Sequence, residues 1–459
     1  MGVSPAELGI AGLVGLLVVG LTVWRPAAGC AVFALAVPLT AGLGRGTVIP
    51  FLRPNEALAL LVLLGLAANH LRRSRPLVFT GLDLIVAGFA LGEVLIPWLV
   101  LYLGTTPASA DNWRTVLSPI QYLIVYVLFS RSEQTPRSLR LTINLVMVAS
   151  VVVAVVAVAE LLNASATNFI GAYYPTPPWP SWDPVYRPAS VLGHYSAVGG
   201  FALMNCVLAL ALATARAPGF HPGWLSLVMI ANIAALLTSE TWAPLFTLPV
   251  AMLVVLFQGR RFSGQLVVVL GAVGICLVVL WPAIAGRVDQ QQLFGGGSGL
   301  QLPASMATRI RYWQEFFLPA AAHHFWLGTG TTLASEVPQQ LGLNVDNEYL
   351  FAVFRAGVSG LVLLIGAFIA LAVIAWGERR NPDPMTRALA AACTASVVTL
   401  AIVGLTSQYL TFTAVSQMFW MLIGLFAARR SPSLTYVDEG SPEQAIQQAA
   451  RLEAARAWR

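Results

Sequence analysis

Apolar runs of about twenty residues recur from one end of this chain almost to the other, and that recurrence leaves few folds open. A helix crosses a bilayer with about 17 to 25 such residues. Candidate spans centre on 8–23, 29–43, 55–70, 82–103, 115–130, 139–161, 190–215, 222–238, 242–257, 265–284, 347–376, 387–407 and 410–428. No polar block interrupts them before the last thirty residues, which excludes a soluble catalytic domain carried on a single anchor. Composition agrees: 57% of residues are hydrophobic and 10% charged, against about 45–50% and about 25% in a soluble domain. The expected fold is all-α, a polytopic membrane protein of about 12–13 transmembrane helices. Residues 1–428 form a single transmembrane helical domain in this reading, and 429–459 a cytoplasmic tail. The first run lacks a basic flank and a small-residue cleavage site, so it is expected to stay as a helix rather than leave as a signal peptide.

All 26 basic residues are arginine. Without lysine there is no Schiff base, no Walker-type phosphate contact and no lysine general base. Cys30, Cys206, Cys276 and Cys393 each lie inside a separate apolar run, the pattern of buried thiols rather than of a disulfide framework. Orientation follows from the arginines. Arg25, Arg72, Arg73, Arg75, Arg131, Arg137, Arg140, Arg216, Arg260, Arg261, Arg379, Arg380, Arg387, Arg429 and Arg430 fall on alternate connections, which the positive-inside rule makes cytoplasmic. The N-terminus is then outside the plasma membrane and the C-terminus inside. Two long extracytoplasmic loops result, 163–189 and 285–346, long enough to be functional.

The first loop, rich in proline and aromatic rings (YYPTPPWPSWDPVYRP), suits a stiff lid or sugar-stacking surface, and equally a simple interfacial anchor. The second begins with FGGGSG and continues as SMATRIRYWQEFF, an amphipathic helical pattern able to lie along the membrane face. In the tail, Ser441 with Pro442 and Gln444 reads as the capped start of a short helix.

Few basic residues lie on the outer side, which draws attention to those that do. Arg187 closes the aromatic loop, and Arg309 and Arg311 lie in the second loop. A guanidinium fork matches phosphate oxygens, and buried phosphates on the outer leaflet belong to lipid carriers and head groups. Plain head-group anchoring is the competing reading for any one of them. The densest cluster is NVDNEYLFAVFRAGVSG, where Asp346, Asn347, Glu348 and Tyr349 open a long helix and Arg355 lies about two turns deeper. A buried carboxylate here can act as a base toward a sugar hydroxyl, or Asp346 can merely cap the helix. Asp83 is close to the cytoplasmic arginines and reads as an interfacial pair; Glu93, near mid-span, reads as protonated or paired inside the bundle, with a proton relay as the alternative. His194 lies beside Tyr195 within reach of Arg187, and serves either acceptor binding or structure. With five histidines in the chain, His323 and His324 make a metal cluster improbable, and neither metal nor cofactor is expected.

Read together, Arg309 four residues before Trp313, then His324, Gly328 and Gly330, then Asn347, Tyr349, Leu350, Gly357 and Gly360 resemble the signature segment of the O-antigen ligase and O-antigen polymerase superfamily. The segment RPASVLGHYSAVGGF from Arg187 is similar to the stretch that opens a central helix in that family. The likeness covers residues 187–376 by motif. It implies a GT-C-like polytopic glycosyltransferase that moves a glycan from a polyprenyl-diphosphate carrier to an acceptor hydroxyl on the outer face, with inversion and no obligatory metal. Matched onto this chain, Arg187 and Arg309 hold the diphosphate and Asp346 stands where ligases usually carry histidine, a departure that leans toward polymerase-like members. Glu240, in Ser239-Glu240-Thr241, replaces an arginine common in relatives. Arg311, His194, His324, Asn347, Glu348, Tyr349, Arg355 and Glu240 complete the expected substrate-binding set. Expected partners are the lipid-linked glycan, a glycan or lipid acceptor, membrane lipids, and a chain-length regulator or flippase, with no nucleic acid. A transporter and a non-catalytic envelope scaffold are the other classes; the absence of internal repeats and the outer placement of the charges weigh against the first.

Overall fold

The computed structural model describes residues 5–45, 52–73, 78–104, 109–132, 134–162, 187–259, 304–342 and 344–430, with isolated positions between them. Its helices are α1 (Pro5–Trp24), α2 (Pro26–Thr40), α3 (Pro54–Arg72), α4 (Gly81–Leu103), α5 (Ala110–Leu117), α6 (Ile120–Arg131), α7 (Pro136–Leu162), α8 (Tyr195–Ala215), α9 (Pro222–Thr238), α10 (Trp242–Gly259), α11 (Ala304–Tyr312), α12 (Leu318–His323), α13 (Glu348–Gly377), α14 (Pro384–Val403) and α15 (Thr413–Arg430). No β-strand occurs among the described residues.

Seven of these helices, α3, α4, α7, α8, α10, α13 and α14, are long and apolar enough to cross a membrane, so the chain is an all-α, polytopic membrane protein. Residues 11–24 of α1, together with α2 and α9, are shorter apolar helices. The run expected at 115–130 is two helices instead, because Ser118-Pro119 turns the chain between α5 and α6 and proline supplies no N–H. At 190–215 the helix proper begins at Tyr195, after a 3-10 turn at Ser190–Leu192 and Gly193 at φ +73°. Most of the expected span 265–284 and of the loop 163–189, the FGGGSG run and the tail after Arg430 lie outside the described residues. Cys30, Cys206 and Cys393 are free and buried; Cys276 is not described.

α8 is the axis of the bundle. Its spanning window is buried throughout, among α7, α9, α10, α14 and α15. Small residues permit this: a Cβ on Gly200 would come within 2.7 Å of the Tyr409 ring, and one on Gly199 within 2.9 Å of Ser239 Oγ. With lipid as apolar as leucine, close packing of this kind is the main force between spans.

α13 is broken at Ala356 (φ −130°) and Gly357 (φ +66°). The turn 325–330 presses into the break. The Thr329 and Gly330 N–H groups donate to the Phe354 and Arg355 carbonyls at 2.7 and 3.0 Å, and Val358 N–H donates to Phe325 O at 2.8 Å. A Cβ on Gly328 would lie 2.6 Å from the Arg355 backbone, and one on Gly357 2.2 Å from Trp326. The spaced glycines therefore let two backbones touch, and the freed carbonyls of the broken helix find donors.

At the far ends of α13 and α15, Glu378 pairs with Arg430 (3.0 Å) and Asp383 with Arg429 (2.7 Å). Asp83 meets Arg131 at 2.9 Å and the Tyr126 hydroxyl at 2.8 Å, the pairing with a neighbouring arginine expected of it.

Candidate functional site

Two halves of a polar cluster meet at the Asp346 end of α13. The first is set by α11. Trp313, just past its last turn, donates Nε1–H to Val345 O at 2.6 Å. Arg309, four residues earlier and so on the same face, donates its Nε–H to Asp346 Oδ2 at 3.1 Å. The spacing of arginine and tryptophan thus fixes one guanidinium on one carboxylate. Asp346 itself takes φ +52°, a left-handed conformation that aspartate tolerates better than most residues. Capping of α13 falls to its neighbour: Asn347 Oδ1 accepts from Leu350 N–H at 2.9 Å, and its Nδ2 donates to Leu405 O at 3.0 Å. The N-cap reading of Asp346 is thereby corrected. With side chains 30% and 42% exposed, Arg309 and Asp346 remain open to a ligand.

The second half surrounds the start of α8. Arg187 is buried, its guanidinium carbon 3.5 Å from the Tyr195 ring centroid. His194 caps α8, Nδ1 accepting from Ser196 N–H at 3.1 Å, and its ring lies 4.3 Å from Tyr195 and 4.8 Å from Phe412. Burial, and then the Arg187 charge, hold its imidazole down to about 4. His194 is therefore neutral at pH 7, and because Nδ1 accepts, the proton is on Nε2.

Tyr409 joins the halves. Its ring meets Phe412 edge-on at 5.7 Å, it is 1% exposed, and its phenol feels the charges of Arg309 and Asp346 and the neighbouring Tyr195. Burial pushes that phenol up, so it stays a neutral hydroxyl. No hydrogen-bond partner for it occurs among the described residues.

Arg53 was not among the expected residues. Its Nη1 donates to Thr413 Oγ1 at 2.9 Å, next to Phe412, and its Nε has no hydrogen-bond partner among the described residues. Gly42 N–H donates to Val191 O at 3.1 Å, tying the 42–53 connection to the turn before α8, and Arg45 pairs with Glu56 at 2.8 Å. The signal in the sequence was two arginines on a short connection that the charge asymmetry assigns to the arginine-poor side. Tyr409 left no such trace.

Other expected residues lie apart from this cluster. Glu240 is buried at φ +48° in the turn between α9 and α10, whose Thr241 hydroxyl donates to Tyr195 O at 3.5 Å. It borders the start of α8. Tyr349 donates to Ala401 O at 2.6 Å, tying α13 to α14. Arg311 is exposed, 5.4 Å from the Tyr312 ring, and His324 is exposed after α12, beside a His323–Glu336 pair at 3.3 Å. Glu348 and Arg355 turn inward. Arg355 Nη2 donates to the carbonyls of Glu93, Thr115 and Val116 at 2.9, 3.2 and 3.1 Å, and its Nε is 3.7 Å from Glu93 Oε2. Glu348 Oε2 accepts from Leu410 N–H at 3.0 Å. Glu93 is thus paired inside the bundle, although its partner is far away in sequence.

Among the described residues, no group of three His, Cys, Asp or Glu side chains is placed to hold a metal ion. The arrangement offers a half-exposed carboxylate on a guanidinium, a second guanidinium buried on Tyr195, and a neutral imidazole and phenol whose rings both meet Phe412. Such a set can bind a phosphorylated head group and take a proton from a hydroxyl. No protein-family model and no curated protein matches the chain.

Proposed function

We propose that this protein is a membrane glycosyltransferase, an O-antigen or exopolysaccharide polymerase-like enzyme that takes a glycan from a polyprenyl-diphosphate carrier at the outer face of the plasma membrane. A GT-C-like bundle of 12–13 spans, with the N-terminus outside and the C-terminus in the cytoplasm, belongs to the same proposal. The observation that carries it is the half-exposed Arg309–Asp346 pair at 3.1 Å before α13, together with Arg187 buried on Tyr195 at the start of α8.

In this reading the acceptor oxygen bonds to the anomeric carbon as the bond from that carbon to the phosphate oxygen breaks, and the electron pair leaves with the diphosphate. Arg187 and Arg309 hold the developing charge, and Asp346 takes the hydroxyl proton. A half-exposed carboxylate returns that proton to water readily. Ligase-type transfer to a lipid or protein acceptor uses the same geometry. The test is the full chain in liposomes with a polyprenyl-diphosphate oligosaccharide, read by mass spectrometry. Lengthened lipid-linked chains support the polymerase reading, transfer to another acceptor the ligase reading, and an unchanged donor overturns both.

One observation favours a transporter instead: the broken α13 presents Arg355 beside buried acids, as in carriers with discontinuous helices. Counterflow of a labelled glycan without covalent change would establish that reading.

A further inference from the structure

Beneath the outer cluster lies a cavity of about 140 Å³ whose wall includes Glu93, Glu348, Arg355, Tyr122, Ser118 and Thr411. Thr411 is exposed, so the cavity borders the outer surface, while Glu93, Glu348 and Arg355 are only 6%, 6% and 5% exposed. It has room for several water molecules. α13 makes space for the acid: a Cβ on Gly360 would lie 3.3 Å from Glu93 Oε1, an oxygen without a hydrogen-bond partner among the described residues.

The charges do not balance. Two carboxyl groups face one guanidinium, and the only other titratable group on the cavity wall among the described residues is the Tyr122 phenol, whose hydroxyl donates to Leu410 O at 2.7 Å. Arg355 neutralises one carboxylate; a second, buried without a counter-charge, is strongly disfavoured. We propose that the cavity is a binding site for one exchangeable proton, shared between Glu93 and Glu348. Guanidinium in the same pocket repels a metal cation, and hydrogen bonds from Leu410 N–H to Glu348 leave Glu93 Oε1 as the open position for the proton. The site reaches the outer cluster through one turn, because Glu348 holds Leu410, which follows Tyr409 directly and precedes Phe412 by two residues.

This inference does not rest on the transferase reading, and its test needs no substrate. The full chain in liposomes is examined by infrared spectroscopy for the protonated-carboxyl C=O stretch at neutral pH. In Glu93→Gln or Glu348→Gln the surviving carboxylate is matched by Arg355, so each single change should remove the same one-proton component. Arg355→Gln should add a second. If one glutamine variant does not fold, the other decides alone. Survival of the component in a folded single variant overturns the proposal. So does its absence from the parent, or its replacement at fixed pH by one equivalent of retained sodium.

Discussion

Arg309 and Asp346 are held together at 3.1 Å by two separate backbone devices, a helical face anchored through Trp313 and a left-handed residue just before the Asn347 cap. Half-exposed ion pairs of this kind contribute only about 0.2–1 kcal/mol to stability. Their geometry is defined far better than their contribution to folding requires, which points to use rather than to scaffolding.

Asp346→Asn should therefore fold and melt like the parent yet lose transfer, because the amide keeps the hydrogen bond from Arg309 and cannot take a proton. Asp346→His should retain part of the activity, with its pH profile moved upward toward the imidazole range. Near-parental transfer by the asparagine variant, measured in liposomes, would remove Asp346 as the base.

Arg187→Ala is expected to lower the transfer rate about 10²- to 10³-fold, the usual cost of one lost preorganised donor. Lysine at Arg187 should restore little of it, since a point charge neither forks onto a diphosphate nor lies flat on Tyr195. Arg53→Ala should weaken donor binding while leaving the bundle folded, because Arg53 makes one hydrogen bond to Thr413 and has no acid paired to its guanidinium within salt-bridge distance among the described residues. Retained donor on filter binding separates the two effects.

Acid should loosen the cluster. His194 has its folded pKa depressed to about 4 against about 6.5 unfolded, so the unfolded chain binds the extra proton first. The stability tied to the neutral ring is present above about pH 6.5 and is lost as pH falls through the window toward 4. About 3 kcal/mol is the upper bound for that shift. His194→Asn, which keeps an N-cap, should flatten the pH dependence of the melting temperature across that window.

Gly357→Ala should be among the most damaging single-methyl changes in the molecule. The residue has φ +66° and the new Cβ would meet Trp326 at 2.2 Å, so strain and overlap act together, at about 1–3 kcal/mol each. Gly366→Ala, with nothing within 4 Å, is the control on the same helix, and thermal melting of both checks the difference.

Much of the fold could be read from apolar run length, since α3, α4, α7, α9 and α10 begin and end within a few residues of the expected spans. The places where that reading failed share a cause. Ser118-Pro119, Gly193 and Ala356-Gly357 interrupt the backbone without lowering hydropathy, so an apolar window passes over them. At the site, Arg187, Arg309 and Asp346 were visible as charges on the connections that the arginine asymmetry leaves poor in arginine. Tyr409, Phe412 and the Arg355–Glu93 pair were not, because their roles come from elements distant in sequence, and a tyrosine in an apolar stretch looks like any interfacial ring.

The wholly enclosed α8 also bears on how the protein is made. Its covering helices α14 and α15 leave the ribosome well after α8, which has by then entered the bilayer. Until Pro384–Arg430 arrives, the flank of α8 that carries Gly200, where a Cβ would meet Tyr409 and Val415, faces lipid or a temporary chaperone. Final closure of this protein is thus a late event in synthesis, and truncation before α14 should leave a chain that inserts but is handed to quality control rather than matured.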